Sequence, residues 1–581
     1  MGVIGWTWTL VATSLALYLA IALYTKVRSP VEYYVADRSV NPVLNGMATG
    51  TDWMSAASFL SMAGLAAAMG RDGSAYLMGW TGGYVLLAVL LAPYLRKYGK
   101  FTVPQFVGDR YASTGARVVA LCCTILVSFV YVAGQMRGVG VVFARFLGTS
   151  VELGVALGAV VVVLSAVLGG MKGITQVQVA QYVVLIAAYL VPAVFVSIML
   201  TGSPIPPVAL GSTLTPEGAA FLGVEPGRHL LEVLDQLSVE LGFRPYTAGW
   251  RPRLDVLAVT AALMIGTAGL PHIIIRFFTV PKIRDARSTA GWALVFIAVL
   301  YLAAPAVAAF SRAGTIATLH GKRADEAPAW FEGWRRTGLA AFEDRDGDGR
   351  MTLSADPRRN EVHVDSDVLV LASPEMARLP AWVVGLVAAG AIGAALSTAA
   401  GLLLVIASAV SHDLVKSVLL RGLPDRGELW VARLAAVAAA ALAAGIAVDP
   451  PGRVAEVVAL AFGLAASCFF PVLVGGVFWK RATKEGAIAA MLSGTLVTGG
   501  YVLYLKRFRP DLDVPAHWWL GISPEGFGAV GVIVAFAVLV GVSLATKAPS
   551  EAVQDLVASL RYPREPEGAG RRSGQPRAGA V

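Results

Sequence analysis

The sequence predicts an all-α integral membrane protein of about thirteen transmembrane helices, and three observations lead there. Of 581 residues, 56% are hydrophobic and only 15% charged, with a mean hydropathy of +0.67; a water-soluble fold carries about 25% charged residues. Apolar runs that reach the roughly 20 residues needed to cross a hydrocarbon core recur along the chain. Basic residues gather in every second short loop, the distribution expected when lysine and arginine are held on the cytoplasmic side. The net charge of +9 therefore reports orientation and requires no nucleic-acid partner.

The elements follow in order. Residues 1–25 carry VIGWTWTLVATSLALYLAIALY, which lacks the basic start and small-residue cleavage site of a signal peptide and is expected as an extra helix. Residues 42–202 hold five spans. A polar insertion, 203–252, contains HLLEVLDQLSVELGF, whose apolar spacing suits an amphipathic helix on the protein or bilayer surface. Five further spans occupy 253–480 and contain a second polar insertion, 313–380. Two more fill 481–546, and the Pro-, Arg- and Gly-rich segment 547–581 is expected to be a disordered cytoplasmic tail. The basic loops KVR, RKYGK, VPKIRDAR, KSVLLRGLPDR and WKRATK place the N-terminus and both insertions outside and the tail inside a bacterial-type cell (inner) membrane. Cys122, Cys123 and Cys468 lie inside apolar runs and read as small core residues.

Two spans are interrupted away from their ends. MATGTDWMSAASFLSMAGLAAAMG, residues 47–70, carries Asp52 among small and hydroxyl residues, and GTAGLPHIIIRFF, residues 266–278, carries Pro271. Proline removes a backbone donor and clashes with the preceding turn. Within a bilayer, freed backbone groups are tolerated only where protein buries them or a polar cavity receives them. The two segments lie about five helices apart and so enter the membrane in opposite directions, the pattern of an inverted repeat with a site near the midplane.

DWMSAASFLSMAG, GGMKGITQVQVAQ, GTAGLPHIIIRFFTV, STAAGLLLVIASAVSHDL and GLAASCFFPVLVGGVFWKR together resemble the sodium:solute symporters, and within them the cation/acetate branch. The resemblance runs from residue 33 to 494, leaving out the second insertion. It implies the five-plus-five inverted repeat of the leucine-transporter type, with one helix before the core and two after it. It also implies sodium-coupled symport of a small monocarboxylate such as acetate, pyruvate or propionate by alternating access. An amino acid or sugar as solute, a proton as coupling ion, and a transporter-like sensor module are the alternatives. No nucleophile–base motif, phosphate loop or metal cluster suggests an enzyme. Besides a small organic anion and the lipid bilayer, the partner classes left open are a small accessory membrane subunit and a homo-oligomer.

The resemblance places a sodium ion among the carbonyls of Thr51, Met54 and Ala394 and the hydroxyls of Ser397 and Thr398. Hard cations prefer such oxygen ligands. Gln135 is implied as a polar substrate contact, and the loosened backbone at Gly266, Thr267, Ala268 and Gly269 is expected to meet the solute. His272 and Arg276, one turn apart, are expected in a gating or structural role, as is Gln178, which stands where many relatives carry an aspartate. Asp52, costly inside a membrane, could tune the cation site, take up a proton or pair with an arginine. Arg137, roughly 6 Å from the middle of its apolar run at 1.5 Å per residue, could pair with a carboxylate substrate or with Asp52. In the second insertion DRDGDGRMTLSAD resembles a calcium loop through Asp344, Asp346 and Asp348, although position twelve is Ala355 in place of glutamate. An Asp-rich solvated turn is the plainer alternative.

Overall fold

A computed structural model describes residues 2–148, 150–448 and 453–562. The helices that build the bundle are α1 (Val3–Tyr24), α2 (Pro42–Trp53), α3 (Met62–Met69), α4 (Ser74–Leu90), α5 (Thr114–Leu147), α6 (Val151–Thr201), α7 (Arg253–Gly269), α8 (Ile283–Leu319), α9 (Ala381–Ser408), α10 (Asp425–Val448), α11 (Val454–Cys468), α12 (Lys484–Leu503), α13 (Gly528–Ala545) and α14 (Glu551–Arg561). Among the described residues ten helices are long and apolar enough to cross a membrane, and eleven if the bent pair Arg253–Gly269 and Pro271–Phe278 is one span. The expected thirteen is reached only by dividing α6 at its kink and separating α4 from α3. That kink is Gly170, at φ 49° and ψ −157°. A Cβ there would sit 2.7 Å from the Tyr33 ring, so only glycine permits the turn.

Helix α9 forms the centre, packed against α1, α5 and α6, and its most apolar stretch is wholly buried. Its many Ala and Gly residues explain the close approach: a Cβ on Gly385 would lie 2.9 Å from the α1 backbone, and one on Gly390 2.3 Å from Ala188. Between apolar helices in lipid, packing of small residues is the main attraction. The lipid-facing helices differ; α10 exposes Trp430, Leu434 and Leu442 along its flank.

The first insertion contains the expected amphipathic helix, Leu230–Glu240. Its Leu230, Val233 and Leu234 bury against Ala306 and Phe310 of α8, so it lies on the protein. The second insertion begins later than expected, because α8 continues helically to Leu319. It holds a two-stranded antiparallel ribbon with Ala340 opposite Val364 and ends in a buried helix, Leu369–Met376. The tail is also corrected in part. Within 547–581 the structure has α14, whose Val557 and Leu560 are buried, because its apolar residues fall on one face that docks on the short helices Ala92–Tyr98, Val103–Arg110 and Phe470–Phe478. Residues 563–581 lie outside the described residues.

Candidate functional site

Helix α2 ends at Trp53, leaves helical geometry at Met54 (φ −78°, ψ 55°), and the chain resumes at Ala56 before α3. Such a break frees backbone groups, and four of them are met by side chains. Ser397 donates to the Thr51 carbonyl at 3.3 Å and to the Ala394 carbonyl at 2.8 Å. Thr398 donates to the Asp52 carbonyl at 2.9 Å and Ser58 to that of Trp53 at 2.8 Å. The Gln135 side-chain oxygen accepts the Ala56 N–H at 2.9 Å. Thr51, Ala394, Ser397 and Thr398 thus converge with Met54 at the break itself, and the α2 carbonyl opposite Thr398 is that of Asp52.

Beside this junction lies a paired network. One Asp52 oxygen accepts from Arg276 Nε at 2.7 Å and the other from Gln178. Arg276 also donates to Gln178 and, at 2.8 Å, to Thr175. Both charged side chains are about 1% exposed. Gln178 further donates to the Ser397 carbonyl at 3.1 Å. A buried charge must be paired and hydrogen-bonded, and here the acid of α2 and the arginine beyond α7 satisfy each other through α6. Asp52 is therefore a partner of Arg276 and does not face a solute. Nor does it pair with Arg137, which is half-buried on α5 and makes no hydrogen bond or ion pair among the described residues.

Next to the network is an enclosed cavity lined by Trp53, Ser55 and Ser58, Trp80 of α4, Tyr131 of α5, Leu270, His272 and Ile273 beyond α7, Tyr301 of α8 and Phe462 of α11. It is contracted to about 10 Å³, roughly the space of one water. Its walls hold no charged side chain. Among the described residues the Trp80 indole nitrogen and both ring nitrogens of His272 have no hydrogen-bond partner. The Trp53 indole and the Ser55 hydroxyl also lack one at hydrogen-bond geometry, each beside a tyrosine hydroxyl, that of Tyr301 and Tyr131 respectively. Buried polar groups are nearly always satisfied, so a cluster of orphans marks a place that a solute or water completes.

This corrects the reading of the second interrupted span. The helix does not loosen at Gly266–Gly269; α7 is regular to Gly269 and turns at Leu270 (φ −71°, ψ 118°). The glycines serve close approach instead. A Cβ on Gly266 would lie 2.2 Å from the Phe462 carbonyl oxygen and one on Gly269 2.5 Å from that of Ala465. Thr267 closes onto its own helix, donating to Leu263, while Ala268 is fully buried. His272, by contrast, lies in the cavity wall.

The sequence pattern of the sodium:solute symporter family matches residues 33–326 and 362–494. The chain belongs to the sodium:solute symporter family. As such it is a sodium-coupled symporter, a multi-pass membrane transporter and not an enzyme. An uncharacterized symporter of Cupriavidus necator is 34% identical, the alignment covering 94% of this chain and 92% of that one. A monocarboxylic acid transporter of Corynebacterium glutamicum is 28% identical over 87% of this chain and 84% of its own. A sodium-coupled sialic acid symporter solved in a substrate-bound, outward-open state shares the fold, with a TM-score of 0.67 at 14% identity, covering 94% of this chain and 99% of that one.

Toward the insertion-bearing face of this symporter, Asp367 ties three elements together. It accepts from Ser61, just before α3, and from the Val454 N–H that opens α11, at 3.1 Å, while Ser61 accepts the Ala455 N–H at 3.0 Å. A Cβ on Gly64 of α3 would lie 1.8 Å from the Ser366 carbonyl oxygen, so the insertion's end rests directly on α3. Burial, aided by Asp365, pushes the Asp367 carboxyl up to about 7, against the hydrogen bonds from Ser61 and Val454. Nothing in the sequence marked this contact. Asp344, Asp346 and Asp348 bring their oxygens within 4.8 Å of one another on an exposed loop, where Asp344 already accepts the N–H groups of Gly347 and Gly349.

Proposed function

We propose that this symporter carries a small monocarboxylate, of the acetate, pyruvate or propionate kind, together with sodium, and that the solute occupies the cavity between Trp53, Trp80, Tyr131 and His272. The observation that carries this reading is the lining: indole and imidazole nitrogens without partners and no acidic side chain. An indole N–H only donates. A carboxylate only accepts, and supplies what such a wall lacks. An amino acid would bring an ammonium group with no carboxylate to receive it. In this arrangement the cavity holds about one water, so the solute enters only as it opens; the monocarboxylate relative supports the reading.

Sodium, on the same reading, sits between the α2 carbonyls of Thr51, Asp52 or Met54, the Ala394 carbonyl, and the hydroxyls of Ser397 and Thr398. Neutral oxygens hold it loosely enough to release it, and its charge offsets that of the carboxylate carried with it. One sodium with one monovalent anion is electroneutral, so the concentration ratio alone drives transport, about 1.4 kcal/mol per tenfold. Alternating basic loops support an inner-membrane orientation with the N-terminus and insertions outside. A weak calcium site at Asp344, Asp346 and Asp348 belongs to the same proposal, and calcium titration of the purified protein tests it.

The deciding experiment is uptake into proteoliposomes. Labelled acetate or pyruvate accumulates when sodium is imposed inwardly, and an excess of unlabelled monocarboxylate competes while amino acids and sugars do not. Uptake that continues unchanged when potassium replaces sodium overturns the coupling; competition by an amino acid alone overturns the solute.

A further inference from the structure

A recess much larger than the solute cavity lies elsewhere in the molecule. It is a groove of about 910 Å³ between α4, the short helix Ala92–Tyr98, the start of α8 and the end of α14. Its depth is apolar, with Val85 and Ala88 of α4 facing Leu294 of α8, and its mouth carries Lys97, Arg287 and Arg561. No carboxylate lines it. From Arg287 to Leu294 the α8 wall runs seven residues, roughly 10 Å at 1.5 Å per residue. The groove therefore descends from a cationic rim into the hydrocarbon layer along two spanning helices, and at Gly291 a Cβ would meet nothing within 4 Å.

We propose that this groove is a binding site for an anionic phospholipid, with the phosphate at Arg287 and its basic neighbours and one acyl chain lying along α4 and α8. Charge and shape both argue for that occupant. Basic recesses between spanning helices suit anionic headgroups, and an acyl chain is the apolar body present at that depth. Arg287 is exposed and makes no ion pair among the described residues. Lys97 and Arg561 are held in place by carbonyls, Lys97 by that of Tyr562 and Arg561 by that of Phe478, so the docking of α14 completes the rim.

The floor of the groove is Tyr84. Its ring meets Trp53 edge-on at 5.4 Å and stacks on Phe277 at 6.5 Å, so a lipid here rests one side chain away from the solute cavity. Occupancy is thereby expected to influence transport as well as stability.

The test uses the purified full chain in detergent, titrated with phosphatidylglycerol, phosphatidylcholine or glycerol 3-phosphate, reading the thermal unfolding midpoint and, by native mass spectrometry, retained lipid. Phosphatidylglycerol is expected to raise the midpoint at least twice as far as phosphatidylcholine, and glycerol 3-phosphate not at all. Gly291→Leu, which fills the groove, and Arg287→Ala, which strips its rim, should each cut that shift and the retained lipid by half or more, with their lipid-free midpoints unchanged. Equal shifts from the two lipids, full shifts in both variants, or a shift produced by glycerol 3-phosphate alone overturns the proposal. So does a chain ended after Tyr562 that gains lipid sensitivity absent from the full chain, since the last residues would then be the occupant.

Discussion

Two polar clusters lie side by side beneath the α2 break, and they differ in one respect. In the Asp52–Arg276–Gln178 network every charged group has a partner, whereas in the adjoining aromatic cavity Trp80 and His272 have none. Polarity inside a membrane protein is thus no guide to ligand binding by itself; what distinguishes the two is whether the protein has completed its own hydrogen bonds. The completed cluster holds α2, α6 and the segment beyond α7 together, and the incomplete one is where we propose that the solute binds.

The comparison breaks most visibly at Arg276. Arg276→Ala strands a fully buried carboxylate, and losing one partner of a buried pair costs about 3–5 kcal/mol; little folded protein is expected in membrane extracts, measured by the thermal unfolding midpoint. Replacing both partners, Asp52→Asn with Arg276→Gln, should recover much of that loss. At the junction between the clusters, Ser397→Ala with Thr398→Ala is expected to raise the sodium needed for half-maximal uptake about tenfold or more, roughly 1.4 kcal/mol; an unchanged sodium titration would remove these hydroxyls from the cation site.

In the cavity, Trp80→Phe and His272→Gln sacrifice no hydrogen bond within the protein. Their unfolding midpoints should stay at the wild-type value while KM for the solute rises about five- to tenfold, the worth of one hydrogen bond near 1 kcal/mol. A fall in stability equal to that of Arg276→Ala would erase the distinction between the clusters. The smallest effect concerns Asp367. Its carboxyl is raised to about 7 in this arrangement, so the neutral form is favoured here. The buried placement of Asp367 is accordingly firmest below the ordinary carboxylate range and weakens as pH rises from there through about 7, with Asp365 opposing and Arg453 supporting the ionised form. Asp367→Asn should flatten that part of the pH profile of uptake.

Much of this fold is legible in the residues. Asp52 and Pro271 announce the two interruptions, and the family resemblance singles out Ser397 and Thr398, the hydroxyls that meet the first; without it they read as ordinary helix-packing residues. The acid's partner is harder to read. Arg137 lies near the middle of its own span, whereas Arg276 reaches Asp52 only through the bend after Leu270, which no linear spacing records. The glycines of α7 read as loosened backbone but act as contact points against α11, and only the position of a neighbouring helix separates those meanings. Trp53 and Trp80 look in sequence like ordinary apolar side chains. The signal that could have found them is an indole donor deep in a span, away from the interfaces where tryptophan usually sits.

Those same indoles give the protein a built-in optical reporter. Of its 13 tryptophans, these two line the enclosed space, so entry of a solute should change the polarity around them and shift intrinsic fluorescence in step with occupancy. Binding could then be followed without labels or a membrane gradient, separately from turnover.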